Sequence, residues 1–296
     1  YTYVPGIGWE KRTHPPSYFS VRGILRDNYA DEIRGSVIVD DKDNIYVATS
    51  THSTDFPTTS NAFQKNYGGG KQDGCVFKLD NNLNTLVWSS YIGGSGADGS
   101  YAITLDSKYN PVITGGTTSN NFPTTSNALN KSYIGGLSDG FVSVIKNDGS
   151  QILYSTYYGS DQQDQSFLVD INKDDDIYIF GQTRAKGSTL IKNAKYNKPN
   201  SGQFLAKFNH SLDSLYWSTV FGSGSGVPDI SPTAMLVDLC NKIYLAGWGG
   251  DVNSEMGGSG TKYLEITPDA YQSTTDGNDF YLAVMNNDAS ALVYAT

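Results

Sequence analysis

Two places in this 296-residue chain combine side chains that could do chemistry. The first is Asp251-x-Asn253-x-Glu255, which sets oxygen ligands at alternate positions in a glycine-rich stretch. Calcium and similar hard cations are held by such carboxylate and amide oxygens, so these three residues are the candidate metal site. Asp41-x-Asp43 and Asp174-x-Asp176 are weaker versions, at positions where Asp equally serves as a turn former. The second place is Trp248, followed by Gly249, Gly250 and an irregular loop over 251–262. A tryptophan on an exposed rim can stack on a sugar ring, which makes Trp248 the candidate ligand-binding residue. Its slot follows a strand and is read against Ser50, Thr117 and Thr183 elsewhere in the chain. Packing is the competing role for it.

Enzymatic constellations are hard to assemble. His14, His52 and His210 form no motif, and no HExxH, GxSxG, P-loop or CxxC pattern occurs. The 30 acidic residues could supply a glycosidase pair, but nothing in their spacing selects one. No catalytic and no cofactor-binding residue is assigned. Cys75 takes a slot filled elsewhere by Phe and is expected as a buried core thiol. Cys240 falls in a turn and is the better candidate for pairing, with a cysteine outside this segment. A Cys75–Cys240 bridge is not expected.

The elements that must position these residues recur. FPTTSNA occurs at Phe56–Ala62 and again at Phe122–Ala128, 66 residues on (122 − 56). An apolar run closed by aspartate, then an Ile-Tyr-like strand, appears as Val39-Asp40, Leu105-Asp106, Val169-Asp170 and Val237-Asp238. Those aspartates stand 66, 64 and 68 residues apart (106 − 40, 170 − 106, 238 − 170). Asp73-Gly74-Cys75-Val76 returns as Asp139-Gly140-Phe141-Val142, Gly202-Gln203-Phe204-Leu205 and Asn278-Asp279-Phe280-Tyr281. Leu86-Val87-Trp88-Ser89 returns as Ile152-Leu153-Tyr154-Ser155, Leu215-Tyr216-Trp217-Ser218 and Leu292-Val293-Tyr294-Ala295. Trp88 and Trp217 therefore alternate with tyrosines in a core slot.

Each unit holds about four apolar, β-branched or aromatic runs separated by Asp, Asn, Gly and Ser, the pattern of short strands joined by turns. The Asp-x-x-Asn segments read as tight hairpins. The best helix candidates are short, at Ser60–Tyr67 and Pro268–Ser273. The expected fold is all-β: a β-propeller of four-stranded antiparallel blades, with at least four blades visible and four to six expected. A minimal blade needs about 40–45 residues, so the period leaves roughly 20 for a long loop between the second and third strands, expected on one rim. The expected layout is a lead-in or closing strand over 1–33 and a propeller over 34–296. Its units lie at about 34–100, 101–166, 167–234 and 235–296. The pattern starts and stops inside a unit, so the chain is expected to be a fragment of a longer one.

Composition narrows the partners. A formal net charge of −9 argues against nucleic acid, whose phosphates need basic patches. No apolar run approaches the roughly 20 residues of a membrane helix. Tyr (21) and Gly (32) are abundant while charged residues make up 17%, a balance common in secreted all-β proteins.

The order Asp-x-x-x-Asn-Ile-Tyr-Val, Phe-Pro-Thr-Thr with Asn-Ala-Phe-Gln, Asp-Gly-Phe-Val, then Leu-x-Tyr-Ser-Thr-Tyr-x-Gly-Gly resembles the SBBP-type β-propeller repeat. The resemblance covers about residues 30–296 and weakens in the third unit. The segments Gly247–Gly250 and Thr267–Gly277 are similar to large Bacteroidetes surface proteins, including gliding-motility adhesins, exported by type IX secretion. The resemblance implies an extracellular, outer-membrane-associated location. It also implies adhesion or gliding through contacts with cell-surface or secretion-apparatus proteins, or with glycans. It carries no catalytic motif. The expectation is a non-catalytic interaction module; the alternatives are a carbohydrate-binding module and a polysaccharide-degrading enzyme.

Overall fold

The computed structural model describes residues 2–4, 8–10, 25, 34–250 and 258–296. A two-stranded hairpin, β1 (Thr2–Val4) with β2 (Gly8–Glu10), precedes four antiparallel four-stranded sheets. The first sheet comprises β3 (Ser36–Val39), β4 (Ile45–Thr51), β5 (Asp73–Leu79) and β6 (Leu86–Ile92). The second comprises β7 (Asp98–Leu105), β8 (Pro111–Thr117), β9 (Asp139–Ile145) and β10 (Ile152–Tyr158). The third comprises β11 (Asp164–Ile171), β12 (Ile177–Thr183), β13 (Gln203–Phe208) and β14 (Leu215–Phe221). The fourth comprises β15 (Ser231–Val237), β16 (Ile243–Trp248), β17 (Phe280–Met285) and β18 (Leu292–Ala295). Every sheet is a meander, each strand pairing with the next. Asp98–Ser100 and Asp164–Ser166 open β7 and β11, so each unit begins a few residues before the expected boundary.

The first-to-second turns behave as their composition dictates. Asp40 Oδ1 accepts the N–H groups of Lys42 and Asn44 at 2.9 Å each, while Asp43 takes a left-handed φ of 61°. Asp106 does the same for Lys108 and Asn110, and Asp238 for Cys240 and Lys242. In the third unit the residue in this role is Asn172, which accepts from Asp174 and Asp176, and not the expected Asp170. The strand register agrees, since Ile171 pairs with Ile177 as Val39 pairs with Ile45. The turn residue thus recurs every 66 residues without drift (106 − 40, 172 − 106, 238 − 172).

A second register differs from expectation. Gly247 pairs with Tyr281 as Gly115 pairs with Phe141, so Tyr281 fills the slot of Cys75, Phe141 and Phe204. Phe280 therefore stands where Gly74 and Gly140 stand, and Asp279 where Asp73 stands. A one-residue shift moves every side chain of a strand to the other face.

Three apolar seams hold the molecule, each between consecutive sheets. The first joins Tyr46, Val76 and Trp88 to Ile103, Ile113 and Phe141. The second joins Val112, Val142 and Val144 to Ile177, Ile179 and Phe204. The third joins Tyr178, Phe180, Leu205 and Trp217 to Ile243, Leu245, Tyr281 and Met285. Cys75 is buried, and burial pushes its thiol up to about 12; Cys240 is exposed, and both are free thiols.

The FPTTSNA loop lies between the second and third strands, as expected, but it runs back along the edge of its own sheet. Thr59 N–H donates to Ser89 O of β6, and Ser89 N–H donates to Thr59 Oγ1, at 3.2 Å each. Thr125 repeats both bonds on Ser155, and Thr267 on Ala295. In the third unit, where the motif is lost, Lys192 and Ser218 exchange backbone bonds instead. An unpaired outer strand is a template for aggregation, and the loop covers it. No helix forms at Ser60–Tyr67 or Pro268–Ser273, because backbone groups there bond to that edge and, at Phe63, to the next sheet. A 3-10 turn at Thr261–Tyr263 stands in the fourth long loop. Among the described residues no helix is long and apolar enough to cross a membrane.

Candidate functional site

Trp248 ends β16, half-buried, and faces Phe280 directly across the β16–β17 ladder. By register its slot holds Ser50, Gly116 and Gln182 in the other sheets, one residue before the expected Thr117 and Thr183. Strand alternation sets Tyr244, Ala246 and Trp248 on one face of β16, with Phe280 and Leu282 beside them on β17. Phe280 is 70% exposed and Leu282 49%. Tyr263 and Tyr271 border this face, and both are exposed. A cavity of about 500 Å³ opens among Tyr263, Leu264, Tyr271, Phe280, Tyr281 and Leu282. Its polar contributors include Gln272, which donates to Thr274 O at 2.9 Å and to Asp279 Oδ2 at 3.3 Å. The chemistry on offer is aromatic stacking and apolar packing beside a few hydrogen-bonding groups.

Asp251, Asn253 and Glu255 lie outside the described residues. Asp41 and Asp43 lie in the first unit's β-turn, and Asp174 and Asp176 in the third's, where Asp176 pairs with Lys207 at 2.8 Å. Among the described residues no three His, Cys, Asp or Glu side chains converge as a metal site would require. His52 is exposed. His210 is structural: its Nε2 meets Asp106 Oδ2 at 2.9 Å, tying the third unit to the second.

The structure also brings together carboxylates that the sequence reading passed over. Asp73 and Asp98 converge over Gly93, and Asp139 and Asp164 converge over Gly159. All four are fully buried. Asp98 Oδ2 accepts Gly94 N–H and Ser119 Oγ at 2.7 Å each, and its Oδ1 accepts from Thr117. Asp73 Oδ1 and Asp139 Oδ1 have no hydrogen-bond partner. Burial pushes Asp73 and Asp139 up to about 7, helped by the neighbouring carboxylate, and pushes Asp164 up to about 6. Each pair therefore keeps a proton to higher pH than an exposed carboxylate does. At the third junction Gln203 and Asp229 meet over Gly222, and the Gln203 amide, turned to satisfy its neighbours, donates from its nitrogen to Asp229 Oδ2 at 3.0 Å. An amide donor there plays the part of a neutral acid. These pairs are sealed between sheets, where a substrate has no access. The signal for them was in the sequence, in the recurrence of Asp-Gly with Gly-x4-Asp downstream.

No family model and no curated protein matches the chain.

Proposed function

We propose that the chain is a non-catalytic β-propeller module of a secreted, cell-surface protein, acting as an interaction or spacer element in adhesion. The ring reading is supported by contacts that converge from the second, third and fourth sheets and from the residue that leads into the first. Tyr101 of β7 stacks on Phe167 of β11 at 5.4 Å and donates to Gln165 Oε1 at 2.9 Å. The Arg34 guanidinium, just before β3, lies 4.7 Å over the Phe167 ring and donates to Pro232 O of β15 at 3.0 Å. First strands meeting in this way fit sheets arranged around one axis.

The non-catalytic half rests on one observation. The carboxylates with strongly raised pKa are buried at sheet junctions, whereas the exposed cavity has a mostly apolar open surface and is lined by a single carboxylate, Asp279. Polysaccharide turnover assays test it; hydrolysis abolished by a single carboxylate-to-amide change would sink the reading. Adhesion of beads coated with the purified chain to whole cells is the positive test. A carbohydrate-binding role is the second reading, favoured by the exposed rings of Tyr263, Tyr271 and Phe280; Trp248 does not line their cavity but faces Phe280 across the β16–β17 ladder. A glycan array with wild type and Trp248→Ala tests it, and an array with no bound glycan rejects it.

A further inference from the structure

The first three long loops each grip the next unit through one repeated bond. Phe63 N–H donates to Gly149 O in the outer turn of the second sheet at 3.1 Å. Leu129 N–H donates to Leu212 O of the third at 2.9 Å, and Tyr196 N–H to Ala289 O of the fourth at 2.8 Å. In the fourth unit the same hook is Tyr271, from Asp269-Ala270-Tyr271-Gln272. It is 94% exposed, and its N–H turns back to Tyr294 Oη of its own sheet at 3.1 Å. The receiving turn of the first unit carries Leu83 where Gly149, Leu212 and Ala289 stand. Leu212 and Ala289 are 0% exposed, whereas Leu83 is 66% exposed.

The sheet faces tell the same story. Leu205 and Tyr178 are fully buried against the fourth sheet, while their register equivalents Leu282 and Tyr244 are exposed. Val169 and Val237 are buried against the preceding sheet, while Val37 and Val39, in the equivalent places on β3, are exposed. One junction type is made three times, and among the described residues its two halves stay exposed at opposite ends of the array. The Arg34–Pro232 bond joins those ends.

We propose that the face of Tyr244, Trp248, Tyr271, Phe280 and Leu282 docks one further four-stranded unit of this same repeat, joined in tandem. That unit offers an outer-turn carbonyl to Tyr271, and on the ring reading above, on which this part rests, its other face covers Val37, Val39 and Leu83. The partner it fits is a first strand with β-branched residues at alternate positions, as in Val169 and Ile171 of β11.

The test compares the 296-residue chain with a fusion carrying a second copy of residues 157–221 after Thr296. Thr296 holds the place of Thr156, so the fusion continues the repeat in phase. Hydrogen–deuterium exchange at 280–285 and 271–272 is expected to slow at least tenfold in the fusion, and Leu282→Asp is expected to abolish that protection. Slowed exchange at 36–39 as well supports the ring; protection at 280–285 alone keeps the docking site and sinks the ring. Unchanged exchange at 280–285 overturns the docking site, whether or not the added unit folds. Sedimentation of the unfused chain is the second measurement. A monomer that binds a hydrophobic dye, with severalfold less binding after Phe280→Ser and Leu282→Ser, is expected. A dimer whose formation Leu282→Asp prevents overturns the proposal in favour of a second copy.

Discussion

A methyl group on Gly93 would lie 2.6 Å from Asp73 Oδ1 and 2.9 Å from Asp98 Oδ2, and one on Gly159 would meet Asp139 and Asp164 at the same distances. These glycines leave room for the paired carboxyls; their backbone needs no unusual φ. Gly93→Ala and Gly159→Ala are expected to destabilise by about 2–4 kcal/mol in urea titrations, because they overpack a buried polar site. Gly187→Ala meets nothing within 4 Å and should cost only about 1 kcal/mol, for its φ of +64°. The carboxyls themselves predict a pH effect. Asp73 titrates at 3.8 when unfolded and near 7 when folded, so the folded state holds more protons between those values. Its contribution is full below pH 4 and is lost as pH rises through 7. Asp73→Asn should match wild type within error near pH 4 and exceed it by about 1–2 kcal/mol at pH 8. A difference that stays constant from pH 4 to 8 in thermal melts would reject the neutral acid.

At the scale of elements, the FPTTSNA loop works as an edge cover. Tyr157 Oη accepts Phe122 N–H at 2.8 Å and donates to Ser119 O at 2.7 Å, and Tyr91 does the same for Phe56 and Ser53. Tyr157→Phe strands a buried donor and acceptor and should cost about 1–3 kcal/mol. Amide exchange should quicken over 119–128 and remain unchanged in the third sheet; uniform quickening would mean that the loop is not a local unit. The motif was legible as a repeat because its identity is high. Its contact with the next unit was not, because that bond is made by a backbone N–H and carries no side-chain signature. The slips at Asp170 and Asn278 have a related cause. Asp and Asn cluster around every turn, so local pattern allows two registers, and only cross-strand pairing selects one.

For the molecule as a whole, equivalent residues should behave unequally. Leu205 and Leu282 occupy the same register slot, but only Leu205 is covered by a following sheet. Leu205→Ala should cost about 2–5 kcal/mol, and Leu282→Ala less than about 1 kcal/mol, in chemical denaturation of the unfused chain. Equal costs would mean that the fourth sheet is covered in solution. The same asymmetry accounts for Trp248. Its departure from the other units marked it as a candidate, and it stands on the sheet face that no described residue encloses as the other three are enclosed.

The sequence by itself determined the period, the all-β class, the four strands of each unit and the place of the long loop, because alternation and turn chemistry are local and repeat four times. Tertiary structure alone decided which carboxyls pair over Gly93 and Gly159, which loop grips which turn, and which faces stay uncovered. Those outcomes depend on one sheet packing against the next, between groups 25 to 93 residues apart (98 − 73, 289 − 196) whose types are ordinary wherever they are read singly. The candidate site follows the same division: Trp248 was visible as an exception to the repeat, but Phe280, Leu282 and Tyr271 became a surface only when the strand register and the sheet packing were known.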